Sequence, residues 1–106
     1  MRRYMIQIKY SELSASGLVK NPQNRKPQAE QIMAKLDGQL IDFYFTFGDW
    51  DALIIVELLC DIDAMAVAMA DVAGGVGATK VTPLYEMEEA LAAMKKANAI
   101  DYLAPQ

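Results

Sequence analysis

Histidine is absent from the 106-residue sequence, and cysteine occurs only once, as Cys60. Without an imidazole the chain cannot build a Ser-His-Asp or Cys-His catalytic site. One cysteine cannot replace the missing histidines as metal ligands, so a zinc or non-haem iron site is disfavoured as well. A lone cysteine also cannot form an internal disulfide, which is typical of the reducing cytoplasm. We therefore expect a cytoplasmic protein that uses neither a metal nor a cofactor.

Long apolar runs and strong positive charge are also lacking. No segment approaches the roughly 20 apolar residues that cross a bilayer. The basic start Met1-Arg2-Arg3 is not followed by the apolar region of a signal peptide. The net charge is −4, and adjacent basic residues occur only at Arg2-Arg3, Arg25-Lys26 and Lys95-Lys96. We expect neither a membrane nor a nucleic acid as partner, and the length predicts one domain over residues 1–106.

Aromatic and β-branched residues, by contrast, crowd the segment 43–57, where two predicted strands flank a turn at Gly48-Asp49. Because side chains alternate along a strand, the pattern places apolar residues on both faces of each strand. Phe43, Phe45 and Phe47 oppose Tyr44 and Thr46, and Leu53 and Ile55 oppose Ile54 and Val56. A strand that is apolar on both faces requires cover on both faces.

The first half of the chain predicts one further strand and one helix. Residues 4–10 alternate and predict the first strand, whereas residues 11–20 are predicted to be a polar loop. The first helix begins at either Pro22 or Pro27 and ends at Asp37, with Gly38 as its C-terminal cap. The second strand begins near Gln39.

The second half predicts a helix over 62–73, capped by Asp61 or Asp63, and a last strand over 78–85. Pro83 has no N–H to donate to a neighbouring strand, so this last strand lies at an edge of the sheet. A third helix is predicted over 86–97, because acidic residues open it and Lys95-Lys96 close it.

The order of these elements is β-α-β-β-α-β followed by a helix, which is the ferredoxin-like pattern of the α+β class. It predicts a four-stranded antiparallel sheet in the order 4-1-3-2, with helices on one face and an additional C-terminal helix. The other face would be open and apolar. A monomer rarely exposes an apolar patch of more than several hundred Å², so we expect a homodimer or a higher homo-oligomer.

Four stretches of the sequence resemble the GYD-domain family. They are Lys9-Tyr10, Gly17-Leu18, Leu36-Asp37-Gly38 and, above all, the hairpin residues 43–51. The resemblance extends from Tyr4 to about Lys96. The hairpin departs from the family pattern, since Trp50 stands where tyrosine is usual and Asp49 follows Gly48. The resemblance implies a dimeric α+β barrel, similar to small ligand-binding and cofactor-free monooxygenase-like proteins, and implies no established activity.

The candidate ligand-binding residues are Lys9, Tyr10, Tyr44, Trp50 and Asp51. The first and third strands are antiparallel neighbours in this fold, so Lys9, Tyr10 and Asp51 should converge. Tyr44 would offer a hydroxyl, and Trp50 would form a wall of a cavity or an interface. For the charged residues a structural role is the favoured interpretation: a surface ion pair for Lys9, and hydrogen bonds within the turn for Asp51.

Three functions are compatible with this pattern. The first is the binding of a small, largely apolar molecule in a cleft between the sheet and the helices, and the many methionine and aromatic residues favour it. The second is an assembly or regulatory module without catalytic activity. The third is a cofactor-independent, monooxygenase-like enzyme.

Overall fold

The structure is a computed structural model that describes residues 1–105. Within these residues the chain forms four strands and four helices. In chain order they are β1 (Arg2–Tyr10), α1 (Glu12–Lys20), α2 (Lys26–Lys35), β2 (Gln39–Phe45), β3 (Ala52–Leu58), α3 (Asp61–Ala73), β4 (Val76–Leu84) and α4 (Met87–Ile100).

The four strands form one antiparallel sheet in the order β2-β3-β1-β4. This is the predicted order 4-1-3-2 counted from the opposite edge. At the centre of the sheet Ile6 lies opposite Ile54 on one side and Val81 on the other. Pro83 lies on the edge strand β4, as its missing N–H predicted. The ferredoxin-like architecture is confirmed.

Both edge strands contain an irregularity. In β2 the pairing with β3 shifts between Leu40 and Asp42, which leaves Ile41 as an extra residue. In β4 the pairing with β1 shifts opposite Lys9 and Tyr10 and leaves Gly77 as an extra residue. A β-bulge of this kind bends the strand and interrupts its ladder of hydrogen bonds.

The core lies between the sheet and the helices. Alternate residues of β1 and β3 are buried on this side, where Met33 of α2 and Ala64 and Val67 of α3 pack on them. The buried strand residues are Tyr4, Ile6, Ile8, Ala52, Ile54, Val56 and Leu58. All the buried apolar residues belong to this one cluster. Because burying one large aliphatic side chain contributes about 1.5–3 kcal/mol, this layer supplies most of the stability that comes from apolar burial.

The segment 11–20 was predicted to be a loop, and this prediction was wrong, because residues Glu12–Lys20 form α1. Ser11 caps the helix, its Oγ accepting a hydrogen bond from the Ser14 N–H at 3.1 Å. The Ser14 hydroxyl in turn donates to the Gly75 carbonyl at 3.2 Å. Helix α1 buries none of its residues. Its sequence therefore lacks the strong apolar periodicity by which a helix is recognised.

Helix α2 settles the choice between its two possible starts. It begins at Lys26 with Pro27 in its first turn, so Pro22 lies in the preceding loop. At its other end the left-handed residue is Asp37, with φ of 54°, and not Gly38. Gly38 is required for a different reason: a Cβ there would lie 2.6 Å from both the Glu57 carbonyl oxygen and Leu58 Cδ2.

Helix α3 begins after Cys60, and neither Asp61 nor Asp63 is its cap. Both carboxylates lie instead in the first turn, where their negative charges interact favourably with the positive end of the helix dipole. Asp61 has a second contact, because its Oδ1 accepts a hydrogen bond from the Tyr4 hydroxyl at 2.5 Å. Burial and this hydrogen bond raise the pKa of Tyr4 to about 12.

Helix α4 extends three residues beyond the predicted end at 97 and stops at Asp101, which is left-handed with φ of 52°. A capping box between Glu86 and Glu89 fixes its start. The helix packs little against the domain, so the apolar residues Met87, Leu91 and Met94 along one side stay 49–76% exposed. Among residues 1–105, no helix is long and apolar enough to cross a membrane.

Candidate functional site

The end of β1 is held by a carboxylate from the turn that joins β2 and β3. Asp51 Oδ2 accepts a hydrogen bond from the Tyr10 N–H at 2.8 Å, and the Asp51 N–H donates to the Ile8 carbonyl at 2.9 Å. The Asp51 side chain therefore extends the hydrogen bonding between β1 and β3 beyond Ala52, the first residue of β3, as far as Tyr10 at the end of β1. The role favoured for Asp51 was a hydrogen bond within its own turn, and this was wrong in its partner, because the carboxylate accepts from the end of β1 instead.

Lys9 lies beside the same carboxylate. Its Nζ is 4.0 Å from Asp51 Oδ1 and donates to the Gly48 carbonyl at 3.5 Å. The Lys9 side chain is 46% exposed, and an ion pair this exposed contributes about 0–1 kcal/mol. The structure thus brings Lys9, Tyr10 and Asp51 together, as predicted, around the hairpin turn.

The turn itself is closed by Thr46. Its N–H donates to the Asp51 carbonyl at 2.8 Å, and its hydroxyl donates to the Trp50 carbonyl at 2.6 Å. Gly48 adopts φ of 110°, a left-handed value that favours glycine. The Trp50 side chain is partly exposed and does not line either of the clefts described below.

Tyr44 lies apart from this cluster. It pairs with Leu53 across β2 and β3, on the face of the sheet opposite the core, and its side chain is 56% exposed. The Tyr10 side chain lies on the core face and packs against the buried cluster. The five candidate residues are therefore divided between the two faces of the sheet and the turn.

A row of aromatic rings crosses the core face next to Tyr10. The Tyr10 and Phe45 ring centroids are 5.9 Å apart, and those of Phe45 and Phe43 are 5.8 Å apart, with planes inclined by 15°. Both spacings fall in the range in which aromatic pairs attract each other. Phe45 is 59% exposed, so the row reaches from the core to the surface.

The row borders two neighbouring clefts. The first, the α1 cleft, has a volume of about 550 Å³ and is bordered by the end of β1, by α1 with the loop that follows it, and by the start of β4. Its lining residues are Tyr10, Ser14, Gly17, Leu18, Lys20, Asn21, Gln23, Arg25, Gly74 and Val76.

The second, the aromatic cleft, has a volume of about 330 Å³. Phe43 and Phe45 lie on one side of it, and the loop residues 23–26 lie on the other. Gln23 and Arg25 line both clefts, so the two spaces adjoin. Tyr10 is the one predicted site residue that lines either cleft.

Charged groups near Tyr10 shift the pKa of its hydroxyl in opposite directions. Burial raises the pKa of the Tyr10 hydroxyl, the positive charge of Arg25 opposes this rise, and the negative charges of Asp51 and Asp71 add to it. Burial also raises the pKa of the Asp71 carboxyl, near the end of α3, to about 6. Among residues 1–105 no group of three acidic, cysteine or histidine residues is placed to hold a metal ion.

Sequence analysis did not identify Phe43, Phe45 or Arg25 as site residues. The two phenylalanines were recognised as strand residues, and their alternation with Tyr44 already placed them together on one face. Arg25 was noted only as part of a short basic pair. Its position in the clefts depends on α1, which the sequence did not predict, and on the fold of the loop before α2.

The fold and the clefts define a small ferredoxin-like α+β domain with an aromatic groove between sheet and helices. The profile of the GYD domain family matches residues 4–94, and the chain belongs to this family. No curated protein matches the sequence significantly.

Among solved structures, the chain is similar to the one described as the crystal structure of MtbAldR, with a TM-score of 0.57 and 22% identity. The match covers 80% of this chain and 53% of the other, so this chain spans about half the length of that protein. A likeness at this identity shows the fold alone.

Proposed function

We propose that the protein binds a small, largely apolar molecule in the groove formed by the α1 cleft and the aromatic cleft. The observation that carries this proposal is the row Tyr10, Phe45 and Phe43 beside two adjoining clefts of about 550 and 330 Å³. Binding sites for small molecules have volumes of about 300–1,000 Å³. Here the aromatic row supplies the apolar part of a lining that also includes the polar residues Gln23 and Arg25.

The exposure of Phe45 supports the same proposal. Its ring is 59% exposed although it stacks on Phe43 and lies near Tyr10. A flat apolar ligand on this ring would remove it from water, and each 100 Å² of apolar surface buried contributes about 2.5 kcal/mol before the costs of binding.

Thermal unfolding in the presence of a panel of small aromatic compounds tests the proposal, with the emission of Trp50 as the signal. A ligand at ten times its Kd should stabilise the native state by about 1.4 kcal/mol, which raises Tm by about 6 °C in a domain of this size. Phe45→Ser should abolish most of this rise.

Phe47→Ser is the matched control. Phe47 is 99% exposed in the turn and does not line either cleft, so its loss should leave the ligand-induced rise intact. Ligands that stabilise the wild type and Phe45→Ser equally would show that the groove is not the binding site. A panel without any stabilising member would contradict the proposed function.

A second function, as an assembly module, is favoured by the uncovered face of the sheet. We infer that two copies pack these faces together in a symmetric dimer. On this face Met5 lies opposite Ile55, and Tyr44 lies opposite Leu53. Met5, Leu53 and Ile55 are all partly exposed, and a two-fold axis would bury the same apolar patch on both copies.

Charge reversal on this face tests the dimer. In sedimentation at micromolar concentration the wild type should have about twice the chain mass of 11.7 kDa. Ile55→Glu should shift it to the mass of one chain, because a buried unpaired carboxylate is strongly unfavourable. Lys35→Glu changes an exposed residue of helix α2, on the other side of the sheet, and should leave the dimer intact. A wild type that sediments as a monomer at every concentration would exclude this assembly.

A further inference from the structure

We propose that the ligand of this groove is an acid: a small molecule with an aromatic or other apolar body and one anionic group held by Arg25 and Lys26. This inference rests on the proposed function, because it assigns the chemical class of the ligand for the same groove. It is carried by the placement of two cationic side chains along the wall that faces Phe43 and Phe45.

Neither cation forms an ion pair with an acidic side chain of residues 1–105. Within residues 1–105 the ion pairs are Arg3–Glu57 and Lys9–Asp51. The Arg25 guanidinium donates to Gln23 Oε1, a neutral amide oxygen, at 3.1 Å. Lys26 forms no ion pair within the described residues. In a chain with a net charge of −4, an adjacent pair of cations without counter-charges, beside an aromatic surface, is suited to an anion supplied by a ligand.

The loop that carries the cations is held by its own hydrogen bonds. Gln23 Nε2 donates to the Asn21 carbonyl at 3.2 Å, and the Lys26 N–H donates to Asn24 Oδ1 at 2.9 Å. Together with the contact between Arg25 and Gln23, these bonds favour one arrangement of residues 21–26. A ligand therefore loses less free energy in ordering this wall when it binds.

The charges around the groove also orient the ligand. The positive charge of Arg25 reaches the Tyr10 hydroxyl, and so do the negative charges of Asp51 and Asp71. An anionic group is therefore attracted to the wall formed by Arg25 and Lys26 and repelled on the side of the two aspartates. The aromatic body of the ligand then lies on Phe45 and Phe43, and its acid group points toward the loop. A guanidinium recognises a carboxylate, sulfonate or phosphate by paired N–H donors.

Two fluorescent probes of the same skeleton test the inference. Anilinonaphthalene sulfonate carries an anionic group, and phenylnaphthylamine lacks it; both brighten in an apolar site. We expect the wild type to bind the sulfonate about fivefold more tightly, the effect of roughly one exposed charge contact. Raising sodium chloride from about 0.02 M to about 0.5 M should remove this difference, because salt screens exposed charges.

Substitutions of the two cations test whether Arg25 and Lys26 hold the anionic group of the probe. Arg25→Gln and Lys26→Gln should each weaken binding of the sulfonate about twofold to threefold and leave binding of the neutral probe unchanged. Arg25→Lys, which keeps the charge, should restore part of the affinity. Lys35→Gln is the control, since this exposed lysine lies at the opposite end of α2 and should change neither affinity.

The outcomes separate this inference from the proposed function. Equal affinities for the two probes, both reduced by Phe45→Ser, would overturn the acid ligand and retain the groove as a binding site. Equal losses of sulfonate binding in Arg25→Gln and Lys35→Gln would also overturn it, because the effect would then be one of net charge. If Phe45→Ser changes neither affinity, the probes bind elsewhere, and both the groove and the acid ligand are wrong.

Discussion

Gly38→Ala should destabilise the protein by about 3 kcal/mol, at the upper end of the cost of overpacking a core. The added Cβ would lie 2.6 Å from the Glu57 carbonyl oxygen and 2.6 Å from Leu58 Cδ2. The first of these atoms belongs to the backbone of β3, and the second belongs to a side chain that is 0% exposed. The carbonyl cannot move aside without disturbing the pairing of β2 with β3, and the Leu58 side chain cannot move without disturbing the packing of the core.

Chemical denaturation of Gly38→Ala measures this loss as a lower midpoint with an unchanged slope. Gly17→Ala is the matched control. A Cβ at Gly17 meets nothing within 4 Å, and the residue lies inside α1, where alanine is the better helix former. Gly17→Ala should therefore stabilise by about 0.5–1 kcal/mol. Equal effects of the two substitutions would contradict a close approach of backbones at Gly38.

Asp51→Ala should cost about 2 kcal/mol, because it leaves the Tyr10 N–H without an acceptor in a partly buried position. Asp51→Asn should cost much less, since the amide oxygen can still accept that hydrogen bond and only the weak ion pair with Lys9 is lost. The difference between the two variants separates the hydrogen bond from the charge.

Two substitutions near Asp51 serve as controls, one in the same turn and one at its ion-pair partner. Asp49→Ala removes an exposed carboxylate of the same turn and should change the free energy of unfolding by less than about 0.5 kcal/mol. Lys9→Met should change it by about 0–1 kcal/mol. If Asp51→Asn proved as costly as Asp51→Ala, the charge and not the hydrogen bond would hold the end of β1.

The strands and their order could be predicted because every second residue along β1 and β3 is buried. This alternation appears in the sequence as a repeated spacing of apolar residues. Ile6, Ile54 and Val56 belong to this repeated pattern, and Pro83 identified an edge strand by its missing N–H. The antiparallel pairing of β1 with β3 then placed Tyr10 near Asp51. These inferences depend only on local periodicity and on the geometry of neighbouring strands.

The groove was not predictable in the same way. Helix α1 buries no residue, so no apolar stripe reveals it. One of its contacts to the rest of the domain is the Ser14 hydroxyl, which donates to the Gly75 carbonyl. The position of Arg25 depends on hydrogen bonds within a loop whose sequence has no periodic pattern. Tyr44 was chosen for its hydroxyl, but the alternation of β2 puts it on the opposite face from Tyr10.

The irregular edges of the sheet have a consequence for how copies of this chain can associate. The extra residue Ile41 interrupts the outer strand on one side, and Pro83 and Gly77 interrupt the outer strand on the other. Strands with such interruptions are poor templates for an incoming strand of another molecule. Growth of the sheet from chain to chain, which has no natural end and produces fibres, is therefore disfavoured on both sides. The proposed contact through the uncovered face would use up its surface once two molecules had met, so association by that route would end in a closed particle of defined size.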